Sequence, residues 1–186
     1  MNLQLLSFVD SWNGFWDDMY EVFIKSDRWG LYFKGLGNTL LIAVVACLIG
    51  IILGTIVAVL RVACVNNKNN PLASKFSRFV YKIIGGITGI YIAVIRGTPT
   101  LVQLLIMYYV VFASAKNGVP VAMLAFGINS GAYVAEAIRG GILSIDRGQM
   151  EAGRSLGLSN VQTMRSVILP QAIKNILPAL GNELIM

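Results

Sequence analysis

Residues 142–178, ILSIDRGQMEAGRSLGLSNVQTMRSVILPQAIKNILP, form the one long segment in which charge, glycine, proline and helix-start patterns recur at short intervals. The segment directly follows an apolar run that is able to enter a bilayer. Asp146 with Gln149, and Ser159 with Gln162, have the three-residue spacing of a capping box, which starts a helix. Two short helices are therefore predicted in this segment.

The connection between these two helices is predicted to be a sharp turn. Gly157 lies where the first helix would end, and glycine adopts the left-handed conformation of such an end without a side-chain clash. Pro170 is expected to interrupt the second helix, because proline lacks the backbone N–H and its ring crowds the preceding turn. The segment thus predicts a helix, a turn and a helix between apolar spans.

The composition around this segment is that of an integral membrane protein. The chain has 186 residues, of which 56% are hydrophobic and 13% charged, and its mean hydropathy is +0.69, too apolar for an ordinary soluble domain. The formal net charge is +6, but the basic residues flank apolar spans rather than form an aromatic-interleaved patch, which argues against nucleic-acid binding. We predict an all-α polytopic fold with three transmembrane spans and the start of a fourth.

Metal-dependent and hydrolytic chemistry is disfavoured by residue content. The chain has no histidine and two cysteines, so it lacks the commonest metal ligand and the commonest general base. Cys47 and Cys64 have neither the number nor the spacing of a metal site or a disulfide framework. We expect no metal site, and a membrane-embedded hydrolase is disfavoured because the chain lacks a convincing pair of nucleophile and base.

The first predicted span is 37–60, because residues 35–60 contain no charged side chain and helix residues rise ~1.5 Å each across a ~30 Å hydrocarbon core. Residues 1–34 are predicted to form an external amphipathic lead-in along the membrane surface. This lead-in carries five acids and three bases, whereas the region after the span is basic without an acid. The positive-inside rule therefore places the N-terminus outside and the end of the first span inside.

Two apolar runs, 83–95 and 101–113, make the middle of the chain ambiguous between one crossing and two. A single crossing keeps the basic loop on the inner side, so we predict a span at 96–115 preceded by an approach helix at 79–95. Pro99 marks the bend between these two parts. The last complete span is predicted at 119–138.

The span 119–138 has two contrasting faces. Small residues recur at Gly127, Gly131 and Ala135, as they do at every fourth position along 46–58, and such ridges let helices approach closely. Asn129 and Tyr133 lie on a polar stripe with Glu136, and Gln103 occupies the preceding span. Gln103, Asn129 and Tyr133 line a substrate pathway or else hydrogen-bond neighbouring helices. Glu136 precedes Arg139 by three residues, a spacing that predicts a structural ion pair.

Several motifs resemble the permease subunits of ATP-binding-cassette importers, in particular those of the polar amino acid type. Glu151-Ala152-Gly153, then Gly157 and Leu169-Pro170, have the spacing of the EAA loop of that family. Three other runs carry the same resemblance: Arg96-Gly97-Thr98-Pro99 before Leu101-Val102-Gln103-Leu104, Asn129-Ser130-Gly131-Ala132-Tyr133-Val134-Ala135-Glu136, and Leu180-Gly181-Asn182-Glu183. The third position of the EAA motif is usually alanine, and Gly153 is expected to lower helix propensity by ~1 kcal/mol.

The resemblance implies that residues 142–170 are a cytoplasmic coupling loop, which docks on a separate ATPase, and that the next span starts at 176–186. The residues that would carry coupling are Glu151, Ala152, Gly153, Gly157, Leu158, Leu169 and Pro170, and further family-motif residues are Arg96, Gly97, Thr98, Pro99, Glu136 and Arg139. An external binding protein would deliver a polar amino acid for import through the plasma membrane, and a second permease subunit would complete the pathway.

This chain itself is not expected to be an enzyme. It has no glycine-rich phosphate loop followed by Lys-Ser or Lys-Thr, so ATP and magnesium would bind the partner ATPase and no cofactor would bind here. The family fold would continue past Met186, which leaves an alternative: a truncated, non-transporting membrane scaffold that still binds an ATPase.

Overall fold

The computed structural model describes residues 3–25, 28–68 and 74–185, without the side chains of 3–10, 66 and 183–185. Every element in these ranges is helical, as predicted. The chain divides into two compact units, Met1–Leu41 and Ile42–Met186. This division falls shortly after the expected end of the lead-in at residue 34.

The first unit is rich in exposed aromatic side chains. Helix α1, Leu3–Tyr20, is followed by a π-helical turn, Glu21–Lys25. Trp12, Trp16 and Tyr20 expose more than half of their surface, at 53%, 54% and 55%. Their four-residue spacing places them on one side of the helix, the amphipathic pattern that the sequence predicted.

Among the residues that the structure describes, three helices are long and apolar enough to cross a bilayer. They are α2, Trp29–Lys68, of which Trp29–Val65 is the apolar part, α3, Lys75–Gly97, and α5, Gly118–Leu143. Their length and composition agree with a polytopic membrane protein. The remaining helices are α4, Thr100–Ile106, with its π-helical extension Met107–Val111, then α6, Arg147–Ser155, α7, Asn160–Thr163, and α8, Leu169–Ile185.

The middle span differs from the prediction, because 96–115 is not one helix. The chain ends α3 at Gly97, passes extended Thr98 and Pro99, and restarts at Thr100. The bend therefore falls at Pro99 as predicted, but the span-length helix precedes it, and the apolar helix after it, Thr100–Val111, is shorter. Proline forces its predecessor, here Thr98, out of helical geometry. The helix that contains the first apolar run therefore ends just before the bend.

Small residues bring α2 and α5 into close contact. A β-carbon at Gly54 would lie 2.6 Å from the β-carbon of Val134, and one at Gly127 would lie 2.7 Å from a methyl carbon of Ile49. Real β-carbons do not approach other atoms so closely, so both positions require glycine. The predicted small-residue ridges on 46–58 and 119–138 are thus packing surfaces for one another.

Helix α3 joins this pair through a buried cluster and one polar contact. Val57, Ile92 and Ala132 are among the buried residues of the cluster. The Tyr91 hydroxyl donates to the carbonyl of Ile128 at 2.6 Å. This hydrogen bond joins a side chain of α3 to the backbone of α5 in the apolar interior. It helps to fix the position of one helix along the other.

Helix α8 packs on α5 and begins earlier than residue 176. A β-carbon at Gly141 would lie 2.2 Å from Ile176, whose side chain is only 6% exposed, and Asn175 Nδ2 donates to Ser144 Oγ at 2.8 Å. Pro170 does not interrupt the helical run, contrary to the prediction. The π-helical turn Met164–Ile168 directly precedes α8, and its wider hydrogen-bonding pattern accommodates the proline ring without a loop.

Candidate functional site: the loop between α5 and α8 and its helical support

The loop between α5 and α8 forms the predicted helix, turn and helix. Asp146 caps α6, because its Oδ1 accepts from the Gly148 N–H at 2.6 Å. Ser159 caps α7, and here both halves of the capping box are formed: Gln162 N–H donates to Ser159 Oγ, and Ser159 N–H donates to Gln162 Oε1. The predicted box is complete at α7, whereas at α6 only the Asp146 half is present, so at least one free N–H at each helix start has a side-chain partner within the loop.

Gly157 closes α6 in the left-handed conformation that its position predicted. Its φ is +83°, and two backbone hydrogen bonds close the turn. Leu158 N–H donates to the Gly153 carbonyl at 3.1 Å, and Gly157 N–H donates to the Arg154 carbonyl at 3.0 Å. This is a Schellman motif, which satisfies the last carbonyls of the helix and fixes the direction in which the chain leaves it.

Gly153, the departure from the usual motif alanine, is a packing position. It is buried, and a β-carbon there would lie 2.4 Å from Thr163 Cγ2 and 2.8 Å from Thr163 Oγ1. Thr163 is completely buried, and its hydroxyl donates to the Ser159 carbonyl at 3.0 Å. The sequence analysis expected Gly153 only to lower the helix propensity of α6. In the structure this glycine allows α6 and α7 to pack together.

The outer surface of the loop combines apolar and charged side chains. Leu156 and Val161, on either side of the turn, are 83% and 76% exposed. Glu151 and Ala152 are exposed on α6. Exposed aliphatic side chains in an otherwise polar loop are typical of a protein-binding surface. Leu156 and Val161 were not among the predicted site residues, although two aliphatic residues flanking a polar turn are a signal that could have found them.

The other predicted loop residues occupy different places. Leu158 is partly buried behind the turn. Leu169 is 38% exposed and Pro170 is exposed, both at the start of α8 beyond the π-helical turn. The structure therefore gathers the EAA residues and Gly157 in α6 and its turn, whereas Leu169 and Pro170 belong to the helix that supports the loop.

Behind α6 lies a cavity of about 710 Å³, here called the arginine cavity. Its walls come from the ends of α2 and α5, from α6 and from the turn before α8. Four arginines contribute to its lining: Arg61, Arg139, Arg147 and Arg154. Asp146 and Glu151 line it as well, together with aliphatic side chains of α2 and α5.

Next to this cavity, ionised side chains of α2, α3 and α5 form a cluster. Glu136 forms the predicted pair with Arg139, whose Nε donates to Oε2 at 2.9 Å and whose Nη2 contacts Oε1. Two further guanidinium groups approach the same carboxylate, Arg61 from α2 at 3.7 Å and Arg96 from α3 at 3.9 Å. The Arg96 guanidinium also lies over the ring of Tyr133, 5.3 Å from its centre.

The polar stripe of α5 is bonded to the bend at Pro99. Gln103 Nε2 donates to the carbonyls of Ile95 and Thr98 and to Thr98 Oγ1, at 2.7, 3.0 and 2.7 Å. Its Oε1 accepts from Asn129 Nδ2 at 3.0 Å. The Gln103 amide therefore satisfies carbonyls that the bend frees from helical hydrogen bonding. Gly97 ends α3, and the family-motif run 96–99 is thus the bend itself.

No group of three His, Cys, Asp or Glu side chains that could hold a metal occurs among the residues that the structure describes. The loop, the Glu136 cluster and the bend are instead built from hydrogen bonds, ion pairs and close helix packing.

Comparison with known proteins shows the family. Residues 70–186 match the family model described as "Binding-protein-dependent transport system inner membrane component". The "Putative glutamine transport system permease protein GlnP" of Rickettsia bellii (strain RML369-C) is 39% identical over 171 residues, which cover 90% of this chain and 71% of the relative. The "Arginine transport system permease protein ArtQ" of Bacillus subtilis (strain 168) is 38% identical over 163 residues, covering 82% and 64%.

A solved structure supports the same assignment. The "Crystal structure of an amino acid ABC transporter with histidines" superposes with a TM-score of 0.70 at 42% identity, covering 87% of this chain and 69% of that chain. The chain thus spans about two thirds of the length of these relatives. It belongs to the family of binding-protein-dependent transport system inner membrane components. It is a membrane permease subunit and not itself an enzyme, as the sequence motifs predicted.

Proposed function

We propose that this chain is the membrane-spanning subunit of an ATP-driven importer for a polar amino acid. Residues 142–170 dock on a cytoplasmic ATPase, which binds the ATP and magnesium. The observation that carries the proposal is the construction of α6 and α7: two capped helices, locked by a Schellman turn, present Leu156 and Val161 to the outside. The loop is rigid enough to transmit a displacement and apolar enough to bind a protein.

The support of α6 explains how a displacement would reach the membrane helices. Gly153 packs against Thr163, and the helical run from α7 continues through the π-helical turn into α8. Helix α8 in turn packs on α5 at Gly141 and Ile176. Closure of the ATPase would thus move α6 and, through α8, the span α5, biasing inward-open against outward-open states.

The charge distribution supports a cytoplasmic loop and an external N-terminus. From 139 to 174 the basic residues outnumber Asp146 and Glu151, and the N-terminal lead-in is acidic. The positive-inside rule then places the loop on the side where ATP is available. Three crossings, by α2, α3 and α5, would put the end of α5 on the side of the membrane opposite to the start of α2, which is consistent with this placement.

The names of relatives support a polar amino acid as substrate, since they refer to glutamine, arginine and cystine transport. All three are polar amino acids, and an external binding protein would deliver the substrate. Three spans cannot enclose a pathway alone, so a second permease subunit, identical or similar, would complete it. The bonding of Gln103 and Asn129 to the bend favours a structural role for both, and Tyr133 beneath Arg96 is the better candidate for the pathway.

Reconstitution tests the transport function. The full-length permease is placed in proteoliposomes with its ATPase and binding protein, and uptake of radiolabelled glutamine, arginine and cystine is measured with ATP or with a non-hydrolysable analogue. We expect uptake of at least one amino acid that requires hydrolysis. ATPase binding without uptake of any polar amino acid would instead identify a non-transporting scaffold.

Labelling of intact cells tests the sidedness. In a background with Cys47 and Cys64 replaced by alanine, Ser155→Cys places a thiol on exposed α6, and Ser11→Cys places one on exposed α1. A membrane-impermeant maleimide is expected to label position 11 and to reach position 155 only after permeabilisation. Labelling of position 155 in intact cells would refute the proposed coupling.

A further inference from the structure

Two of the four arginines that line the arginine cavity have no role in the proposed transport function. Arg61 and Arg139 in its lining face Glu136, but Arg147 and Arg154 form no ion pair with another residue in the described part of the chain. These two arginines are seven residues apart on α6, so they share one face of the helix. The lining also holds two carboxylates, Asp146 and Glu151, neither of which forms an ion pair in the described part of the chain, and the guanidinium groups outnumber them.

The opposite wall of the cavity is apolar and belongs to the membrane helices. Val65 at the end of α2 and Leu143 at the end of α5 line it, and they remain 55% and 62% exposed. Both lie at the ends of helices that can span a bilayer. Acyl chains of the leaflet at these helix ends can therefore reach the aliphatic wall of the cavity.

We propose that this cavity binds an anionic phospholipid of the leaflet on the loop side. The phosphate and the anionic headgroup would lie against Arg147 and Arg154, and the start of the acyl chains would lie along Val65 and Leu143. Guanidinium groups bind phosphate through paired N–H donors, and a basic site beside a span is suited to lipid headgroups. A soluble anion would leave the aliphatic wall unused, which is why the two walls together favour a lipid.

Such a lipid would attach α6 to the membrane surface. The site is independent of the proposed ATPase coupling, because it requires only that α2 and α5 span a bilayer. Its occupancy is therefore measured on the permease without the ATPase or the binding protein, and a failure of this inference is distinguishable from a failure of the transport proposal.

The test titrates the purified full-length permease in detergent with phosphatidylglycerol or phosphatidylcholine and reads the first bound lipid by native mass spectrometry. We expect a clear preference for phosphatidylglycerol. The substitutions Arg147→Gln and Arg154→Gln are expected to weaken phosphatidylglycerol binding about fivefold each, since a basic residue near an anionic surface contributes on the order of 1 kcal/mol. Phosphatidylcholine binding should not change. Arg165→Gln, an equal charge change at an exposed loop residue outside the cavity, is the matched control and should leave both affinities unchanged.

Four outcomes would overturn the proposal. Equal affinity for the two lipids, or equal losses in the Arg165 control, would show that the cavity does not select a headgroup. Full displacement of the lipid by an excess of glycerol 3-phosphate would identify a free phosphate site. Loss of ATPase binding by the double variant in lipid-free detergent would assign the two arginines to the ATPase interface.

Discussion

The contact between Gly153 and Thr163 allows a quantitative prediction about the stability of the loop between α5 and α8. In Gly153→Ala the new methyl group would lie 2.4 Å from Thr163 Cγ2, and Thr163 cannot move into solvent because it is completely buried. Overpacking of this kind costs about 1–3 kcal/mol, and the gain in helix propensity from alanine is about 1 kcal/mol. We therefore expect a net destabilisation of about 1 kcal/mol, despite the stronger helix former.

The compensating change is Thr163→Ala, which removes both atoms nearest to the new methyl group. A β-carbon at 153 would then be 3.2 Å from the β-carbon of residue 163, a tight but adjustable contact. Thr163→Ala alone loses the bond to the Ser159 carbonyl, which costs about 1 kcal/mol. The double variant is expected to be more stable than the sum of the two single effects by about 1–2 kcal/mol, within the range for residues in contact.

Thermal unfolding of the purified permease in detergent, followed by circular dichroism, measures these effects. For a chain of this length each kcal/mol shifts Tm by about 2–4 °C. The matched control is Gly140→Ala, a helical glycine on α5 where a β-carbon would meet no atom within 4 Å, and this variant should not lower Tm. If Gly153→Ala were as stable as Gly140→Ala, or if the two loop substitutions were additive, the packing argument would be refuted.

Other substitutions test the turn, the helix packing and the polar contacts. Gly157→Val, at φ +83°, should abolish uptake in proteoliposomes while membrane insertion and ATP hydrolysis persist, because a β-branched residue resists the left-handed conformation; wild-type uptake would contradict this. Gly54→Val, whose side chain would meet α5, should yield little monodisperse protein in size-exclusion chromatography, whereas Gly37→Val, with open space around it, should behave as wild type. Glu136→Gln leaves three guanidinium groups without their carboxylate and should reduce stability by about 1–3 kcal/mol, measured as Tm; an unchanged Tm would refute a structural role. Asn129→Ala, which removes the hydrogen bond to Gln103 of α4, should cost about 1 kcal/mol of stability, measured by the same assay. Retained stability with lost uptake would instead indicate a pathway residue.

Local features of the loop could be predicted from sequence because their causes are local. Gly157 at the helix end and the Ser159 and Gln162 pair each depend on backbone geometry within a few residues. The pair Glu136 and Arg139 depends on one helical turn. The structure shows all of these features where the spacing placed them.

Features that depend on packing between elements could not be predicted in the same way. The role of Gly153 is set by Thr163 on another helix, and the approach of Arg61 and Arg96 to Glu136 requires three helices to be assembled. The helix before Pro99 was predicted at 79–95, but as an approach to a span at 96–115, because two apolar runs of similar length are equivalent by periodicity and the choice between them rested on loop charge. The helical passage through Pro170 depends on a π-helical turn, for which sequence spacing gives no signal.

The turn after α6 satisfies its own backbone. The carbonyls of Gly153 and Arg154 accept bonds from within the turn, and both helix starts are capped by side chains of the loop. An ATPase that covered this loop would therefore strip little bound water from the peptide groups of the turn. The dehydration cost of docking would come from charged side chains such as Glu151 and only weakly from the backbone.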